Sequence, residues 1–187
     1  MNFEQSNAWL KHALEFIPIG SQTFSKSYYA LPANVSPLFI ESGTGQTVTD
    51  IDGNQYTDYV NGLLSISLGY CDEDIDKAVT DQLKKGVSFS LPHKVEAELA
   101  EMLCNHIPCA EQVRFGKNGS DATSAAIRLA RAATDREHVA VCGYHGWQDW
   151  YIGSTSRRLG VPKAVQELTH QFVFNDISSL ERAWLAS

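Results

Sequence analysis

The chain has 187 residues, 43% of them apolar and 20% charged, enough for one domain or one and a fraction around a buried core. Its net charge of −7, with no basic cluster beyond the pairs Lys84-Lys85 and Arg157-Arg158, leaves no electrostatic footprint for nucleic acid. Met1-Asn2-Phe3-Glu4-Gln5 is not a basic start followed by an apolar run, and no apolar stretch approaches the ~20 residues that span a bilayer, so a cytoplasmic protein off the membrane is expected.

Residues 4–16 place Trp9, Ala13 and Phe16 at helical spacing and predict a short amphipathic helix, ended by Pro18 and Gly20. A polar loop runs from Ser21 to Ser27. Residues 37–61 read as β structure, with turn signals at Gly43-Thr44-Gly45 and at Asp52-Gly53, the latter suited to a type I′ hairpin. The best subdomain break lies between residues 61 and 72. It divides an N-terminal helix and hairpin subdomain, 1–66, from an α/β domain, 67–187.

Asp72 predicts the N-cap of a helix that ends near Lys84-Lys85-Gly86, with Ile75, Ala78, Val79 and Leu83 as its core face. A second helix, from His93 to Asn105, is expected to bury Val95, Leu99, Met102 and Leu103. Strand 113–116, helix 120–134, strand 139–142 and strand 172–174 follow. Ser178-Ser179-Leu180-Glu181 has the pattern of a capping box at the next helix start. Strands alternating with helices imply an α/β fold with a mostly parallel sheet covered on both faces.

The chemistry concentrates in two turns. Lys117-Asn118-Gly119-Ser120-Asp121-Ala122 joins a strand to an alanine-rich helix. Amides at such a helix start point outward unpaired, and the helix dipole adds partial positive charge. Gly119 lets an anion approach the backbone and Ser120 offers a hydroxyl, so the turn reads as a phosphate cup. Gly143-Tyr144-His145-Gly146 then puts an aromatic ring and an imidazole at the carboxyl end of the next strand, where α/β sites form. A phosphate cup beside an aromatic turn suits a flat, phosphorylated cofactor. A glycine-containing helix start, a core tyrosine and a hydrogen-bonding histidine are the plainer readings of the same residues. The other histidines show no metal spacing, and Cys71, Cys104, Cys109 and Cys142 form no Cys-x-x-Cys pair, so no metal site is expected. The glycine run lacks the Gly-Lys-Ser/Thr ending of a P-loop, and no Gly-x-Ser-x-Gly string marks a nucleophile elbow.

Together the two motifs resemble class III aminotransferases, pyridoxal-phosphate enzymes of fold type I, and most of all the glutamate-1-semialdehyde aminomutase group. Ala126-Ile127-Arg128-Leu129-Ala130-Arg131 and Ile17-Pro18-Ile19-Gly20-Ser21-Gln22-Thr23 carry the same likeness. The resemblance implies that the chain holds the N-terminal subdomain and the first half of the large sheet domain. It implies pyridoxal 5′-phosphate as cofactor, with Gly119 and Ser120 on its phosphate, Tyr144 packed on its ring and His145 beside it. Gln22, Thr23 and Lys26 become candidate substrate contacts, with a solvated loop as the alternative. Lys117 stands where the family has asparagine, so it reads as a solvated or phosphate-steering lysine. The family's tryptophan is missing from Gly62-Leu63-Leu64-Ser65, which fits a wider or more apolar pocket.

In this family the Schiff-base lysine and the aspartate facing the pyridine nitrogen lie well downstream of the second motif. No residue here takes either place, so residues 1–187 alone are expected to be inactive, aggregation-prone and half of a site. The implied function is transfer of an amino group to a small carbonyl acceptor, or movement of one within a substrate, by a homodimer. The alternative is a truncated, non-catalytic fragment that binds cofactor weakly or pairs with a complementary chain.

Overall fold

Helix α1, Glu4–Phe16, has phenylalanine at its N-cap, a residue with no side chain to offer the exposed amides. Those amides are satisfied from elsewhere in this computed structural model, which describes residues 1–185. Asn2 Oδ1 accepts from the Glu4 N–H at 3.1 Å. The Asp52 carboxylate, from a hairpin loop, accepts from the Gln5 and Ser6 N–H groups at 2.7 and 2.8 Å. An acidic group at this end of a helix also complements its dipole.

That loop belongs to an antiparallel meander of β1 (Ile40–Thr44), β2 (Thr47–Asp50) and β3 (Gln55–Thr57), with a bulge between Ile40 and Ser42. The Asp52-Gly53 turn is not the expected type I′. Only Gly53 has positive φ, at +84°, and the Gly53 N–H closes a turn onto the Asp50 carbonyl at 3.0 Å. A type I′ turn needs left-handed φ at both central residues. Beneath the loop, Asp50 is 1% exposed. Its carboxylate accepts from the Asp52 and Asn54 amides, the Asn54 side chain and the Tyr56 hydroxyl, at 2.8–3.0 Å. Burial pushes the Asp50 carboxyl up, but these donors outweigh it and hold it below the ordinary value. Burial and the same carboxylate push Tyr56 up to about 12.

After a short irregular turn, α2 (Asn61–Leu64), helix α3 spans Glu73–Leu83, capped as expected by Asp72, whose Oδ1 accepts from the Ile75 N–H at 3.1 Å. Helix α4 spans Lys94–His106, with His93 and Glu96 forming a capping box. The expected burial of these helices is not observed. Ile75, Val79, Leu83, Val95, Leu99 and Met102 are all exposed, and neither helix has a buried residue. The apolar stripes are present, but among the described residues they are only partly covered.

The chain forms two compact units, Met1–Leu91 and Pro92–Ser187. In the second, α5 (Gly119–Thr134) leads to β4 (Val139–Val141), α6 (Asp149–Ile152), α7 (Lys163–Gln166), β5 (Thr169–Gln171) and α8 (Ile177–Leu185). β4 and β5 pair in parallel, Val139 opposite Thr169, and α8 packs against both. Two strand expectations need correction. Residues 113–116 form no strand, because no described segment offers them a ladder. The strand expected at 172–174 lies three residues earlier, in register with β4, and the Phe172 N–H adds one last bond to the Val141 carbonyl. The last helix starts one residue before Ser178, and Asp176 caps it: its Oδ1 accepts from the Ser179 N–H at 3.1 Å. The buried groups of this unit include Val141, Tyr151, Thr169, Ser179 and Ala183. No helix among the described residues is long and apolar enough to cross a membrane.

Candidate functional site

Asn118 sits in extended backbone immediately before α5, and its Oδ1 accepts from the Asp121 N–H at 3.0 Å. Its carbonyl takes the Ala122 N–H at 3.2 Å. The cap thus serves the third and fourth amides of the helix. Those of Gly119 and Ser120 have no acceptor among the described residues. They stand at the positive end of a 16-residue helix. A Cβ built on Gly119 meets nothing within 4 Å, so the approach to these amides is open.

The second turn folds onto this helix start. Tyr151, buried on α6, donates its hydroxyl to the Gly143 carbonyl at 2.8 Å. His145 Nε2 lies 2.8 Å from the Cys142 carbonyl. A carbonyl only accepts, so Nε2 carries the proton of this bond, and in that tautomer of the uncharged ring Nδ1 is an acceptor. The rings of Tyr144 and His145 both meet Tyr151 edge-on, with centroids 5.7 and 5.4 Å away. Tyr144 is 75% exposed, so one face of its ring is available to a ligand.

Three hydroxyls of α5 hold the turn. Ser120 Oγ accepts from the Trp147 N–H at 3.4 Å, Thr123 Oγ1 donates to the His145 carbonyl at 2.9 Å, and Ser124 Oγ accepts from Trp150 Nε1 at 3.0 Å. Gly146 is buried at φ +114°, and a Cβ there would lie 2.5 Å from Ser120 Oγ. Only a glycine lets the turn come this close.

Gly119, Ser120, Tyr144 and His145 are therefore neighbours within one unit. Gln22, Thr23 and Lys26 belong to the other. There Thr23 pairs locally with Ser21 and Ser25, while Gln22 and Lys26 are exposed. Lys117 is exposed and forms no ion pair among the described residues. The sequence reading gave no role to Thr123 or Ser124, and it quoted Gly146 in its motif without its close approach to Ser120. Hydroxyls at i, i+3 and i+4 share one helix face, and Ser120, Thr123 and Ser124 have that spacing.

The sequence matches the family described as Aminotransferase class-III over residues 28–183. It is 36% identical over 182 residues to the 3-aminobutyryl-CoA aminotransferase of Cloacimonas acidaminovorans, covering 97% of this chain and 43% of that protein. It is 36% identical over 194 residues to the glutamate-1-semialdehyde 2,1-aminomutase of Syntrophomonas wolfei, covering 97% of this chain and 44% of that one. Among solved structures, a transaminase with pyridoxal phosphate bound superposes with a TM-score of 0.84 at 31% identity, over 99% of this chain and 45% of the other. The chain spans less than half the length of the relatives it matches. These neighbours have the α/β architecture of fold type I and indicate pyridoxal phosphate as the cofactor. The chain belongs to the class-III aminotransferases, of which it represents an N-terminal portion.

Proposed function

We propose that this chain supplies the phosphate cup and ring cover of an enzyme that moves an amino group to, or within, a small carbonyl substrate. The observation that carries the reading is the pair of amides on Gly119 and Ser120, without protein acceptors at a helix start, beneath a turn that presents one face of Tyr144. The donor set suits a phosphate ester: two N–H groups, a hydroxyl and a helix dipole, with open room over Gly119.

Gly119 and Ser120 would hold the phosphate. Ser120 Oγ already accepts from the Trp147 N–H, which leaves its own proton to donate to a phosphate oxygen. Tyr144 would cover the ring and exclude water from that face, steadied by its edge-on contact with Tyr151. His145, tied to the Cys142 carbonyl, would fix the turn and present Nδ1 as an acceptor. When bound, pyridoxal phosphate supplies an electron sink for chemistry at the amino-bearing carbon. The residues here bind and orient, and no proton transfer is assigned to them. Gln22, Thr23 and Lys26 are kept as substrate contacts on the strength of the family likeness. The division at residue 66, the homodimer and the cytoplasmic location rest on the same likeness or on the sequence reading.

Ser120→Ala tests the cup. Losing one charge-assisted hydrogen bond costs about 1.5–3 kcal/mol, or roughly ten- to a hundredfold in affinity. Titration of the full chain should show that loss for pyridoxal phosphate and none for pyridoxal, which has no phosphate. Equal pyridoxal-phosphate affinity in the variant and the parent would remove the cup from the proposal.

A further inference from the structure

We infer that Thr123 is a positioning residue that sets the height of the Tyr144-His145 turn over the anion cup. The inference rests on the cup proposed above. Thr123 touches neither the open amides nor the ring. It acts through one bond, from its hydroxyl to the His145 carbonyl at 2.9 Å. The same hydroxyl lies 3.1 Å from the Ser120 carbonyl, one turn back on its own helix. One hydroxyl proton is thus shared between the helix that builds the cup and the turn that carries the aromatic ring.

The neighbouring contacts explain why this bond decides the spacing. The Trp147 N–H reaches Ser120 Oγ at 3.4 Å, a long and weak bond. The Trp150–Ser124 bond is shorter, 3.0 Å, but it lies six residues beyond Tyr144. The Tyr151 hydroxyl holds the Gly143 carbonyl at 2.8 Å, but it comes from α6 and not from the helix that builds the cup. At Gly146 there is no Cβ to act as a spacer, and one would collide with Ser120. Without the Thr123 bond, the turn between Gly143 and Gly146, both at positive φ, has no short tether to the helix at the residue next to Tyr144. The spacing between the Gly119 and Ser120 amides and the Tyr144 turn therefore depends on Thr123. A cofactor that engages both sides feels that spacing, whereas a bare anion at the amides does not.

Two substitutions test this in the full chain. Thr123→Val keeps the shape and removes the hydroxyl, and Thr123→Ser keeps the hydroxyl. Amide hydrogen exchange across residues 143–147, measured without any ligand, should speed up in the Val variant and return toward the parent rate in the Ser variant. Pyridoxal-phosphate affinity should fall about three- to tenfold in the Val variant. Inorganic phosphate affinity should stay unchanged, a split that general destabilisation would not produce. Unchanged exchange in the Val variant would overturn the positioning role whatever the ligand does. Faster exchange with equal losses for phosphate and pyridoxal phosphate would overturn it in favour of a merely structural threonine. If the parent chain binds no phosphate and Ser120→Ala changes nothing, the cup itself falls. The exchange data then separately decide whether Thr123 holds the turn.

Discussion

Two glycines of the site should respond in opposite ways to the same added methyl group. At Gly146 an alanine Cβ would lie 2.5, 3.1 and 3.2 Å from Ser120 Oγ, Cβ and Cα, and the backbone has φ +114°. The Ser120 hydroxyl can rotate away, but the Cβ and Cα behind it belong to a helix and cannot. Overpacking of this kind costs about 1–3 kcal/mol. Holding a non-glycine residue in that backbone region adds about 1–3 kcal/mol. Gly146→Ala should therefore destabilise the second unit by about 2–6 kcal/mol, lowering its urea midpoint by about 1–3 M at a slope of about 2 kcal/mol/M. Gly119 has helical φ and open space around its Cβ direction. Gly119→Ala should leave the fold unchanged or stabilise it by about 0.4–1 kcal/mol. Its methyl would stand where the anion approaches the amides, so pyridoxal-phosphate affinity should fall roughly tenfold or more. Urea unfolding followed by tryptophan fluorescence, paired with cofactor titration, separates the two effects. A Gly146→Ala protein as stable as the parent would refute the close approach. A Gly119→Ala protein with full affinity would refute the cup.

Two further outcomes follow from the geometry. Tyr144→Phe should bind pyridoxal phosphate nearly as the parent does, while Tyr144→Ala should bind more weakly and shift the bound cofactor's absorbance, because only the ring face is asked to act. A severe loss in Phe with a mild one in Ala would transfer the role to the hydroxyl. Asp50 titrates below the ordinary carboxylate value of 3.8, so the stability it contributes is fully present above that value and is lost as pH falls through its lower folded value. Asp50→Asn should flatten this part of the acid limb in urea midpoints and bring Tyr56, held at about 12, back toward 10 in an ultraviolet titration of its phenol. An unchanged acid limb and an unchanged Tyr56 would count against the buried network.

What the sequence disclosed was local. Asp72 and the glycine after Lys85 marked the ends of α3, because caps act within one turn of chain. Gly119-Ser120 and Tyr144-His145 drew the proposal of a cup and a ring because their residue types suit that chemistry. Strand pairing was not legible. Phe172-Val173-Phe174 has the stronger β-forming side chains, yet Thr169-His170-Gln171 forms the ladder, since register is set by the partner Val139–Val141 and not by propensity. The close packing of Gly146 on Ser120 joins residues 26 positions apart, and nothing at either position announces it. The stripes on α3 and α4 were read correctly as apolar. Their exposure was not foreseen, because periodicity says which face is oily and not what lies against it.

The carboxylate of Asp52 at the head of α1 has a consequence for the order of assembly. A 13-residue helix is marginal in water, and this one begins with a phenylalanine in the capping position. Two of its first amides wait for a residue 46 or 47 positions later. On a ribosome adding about 5–20 residues per second, that residue is made roughly 2–10 s after the helix itself. The segment made first is therefore completed by one made later. Helix α1 matures together with the hairpin, and a nascent chain halted before Asp52 carries it frayed at its amino end.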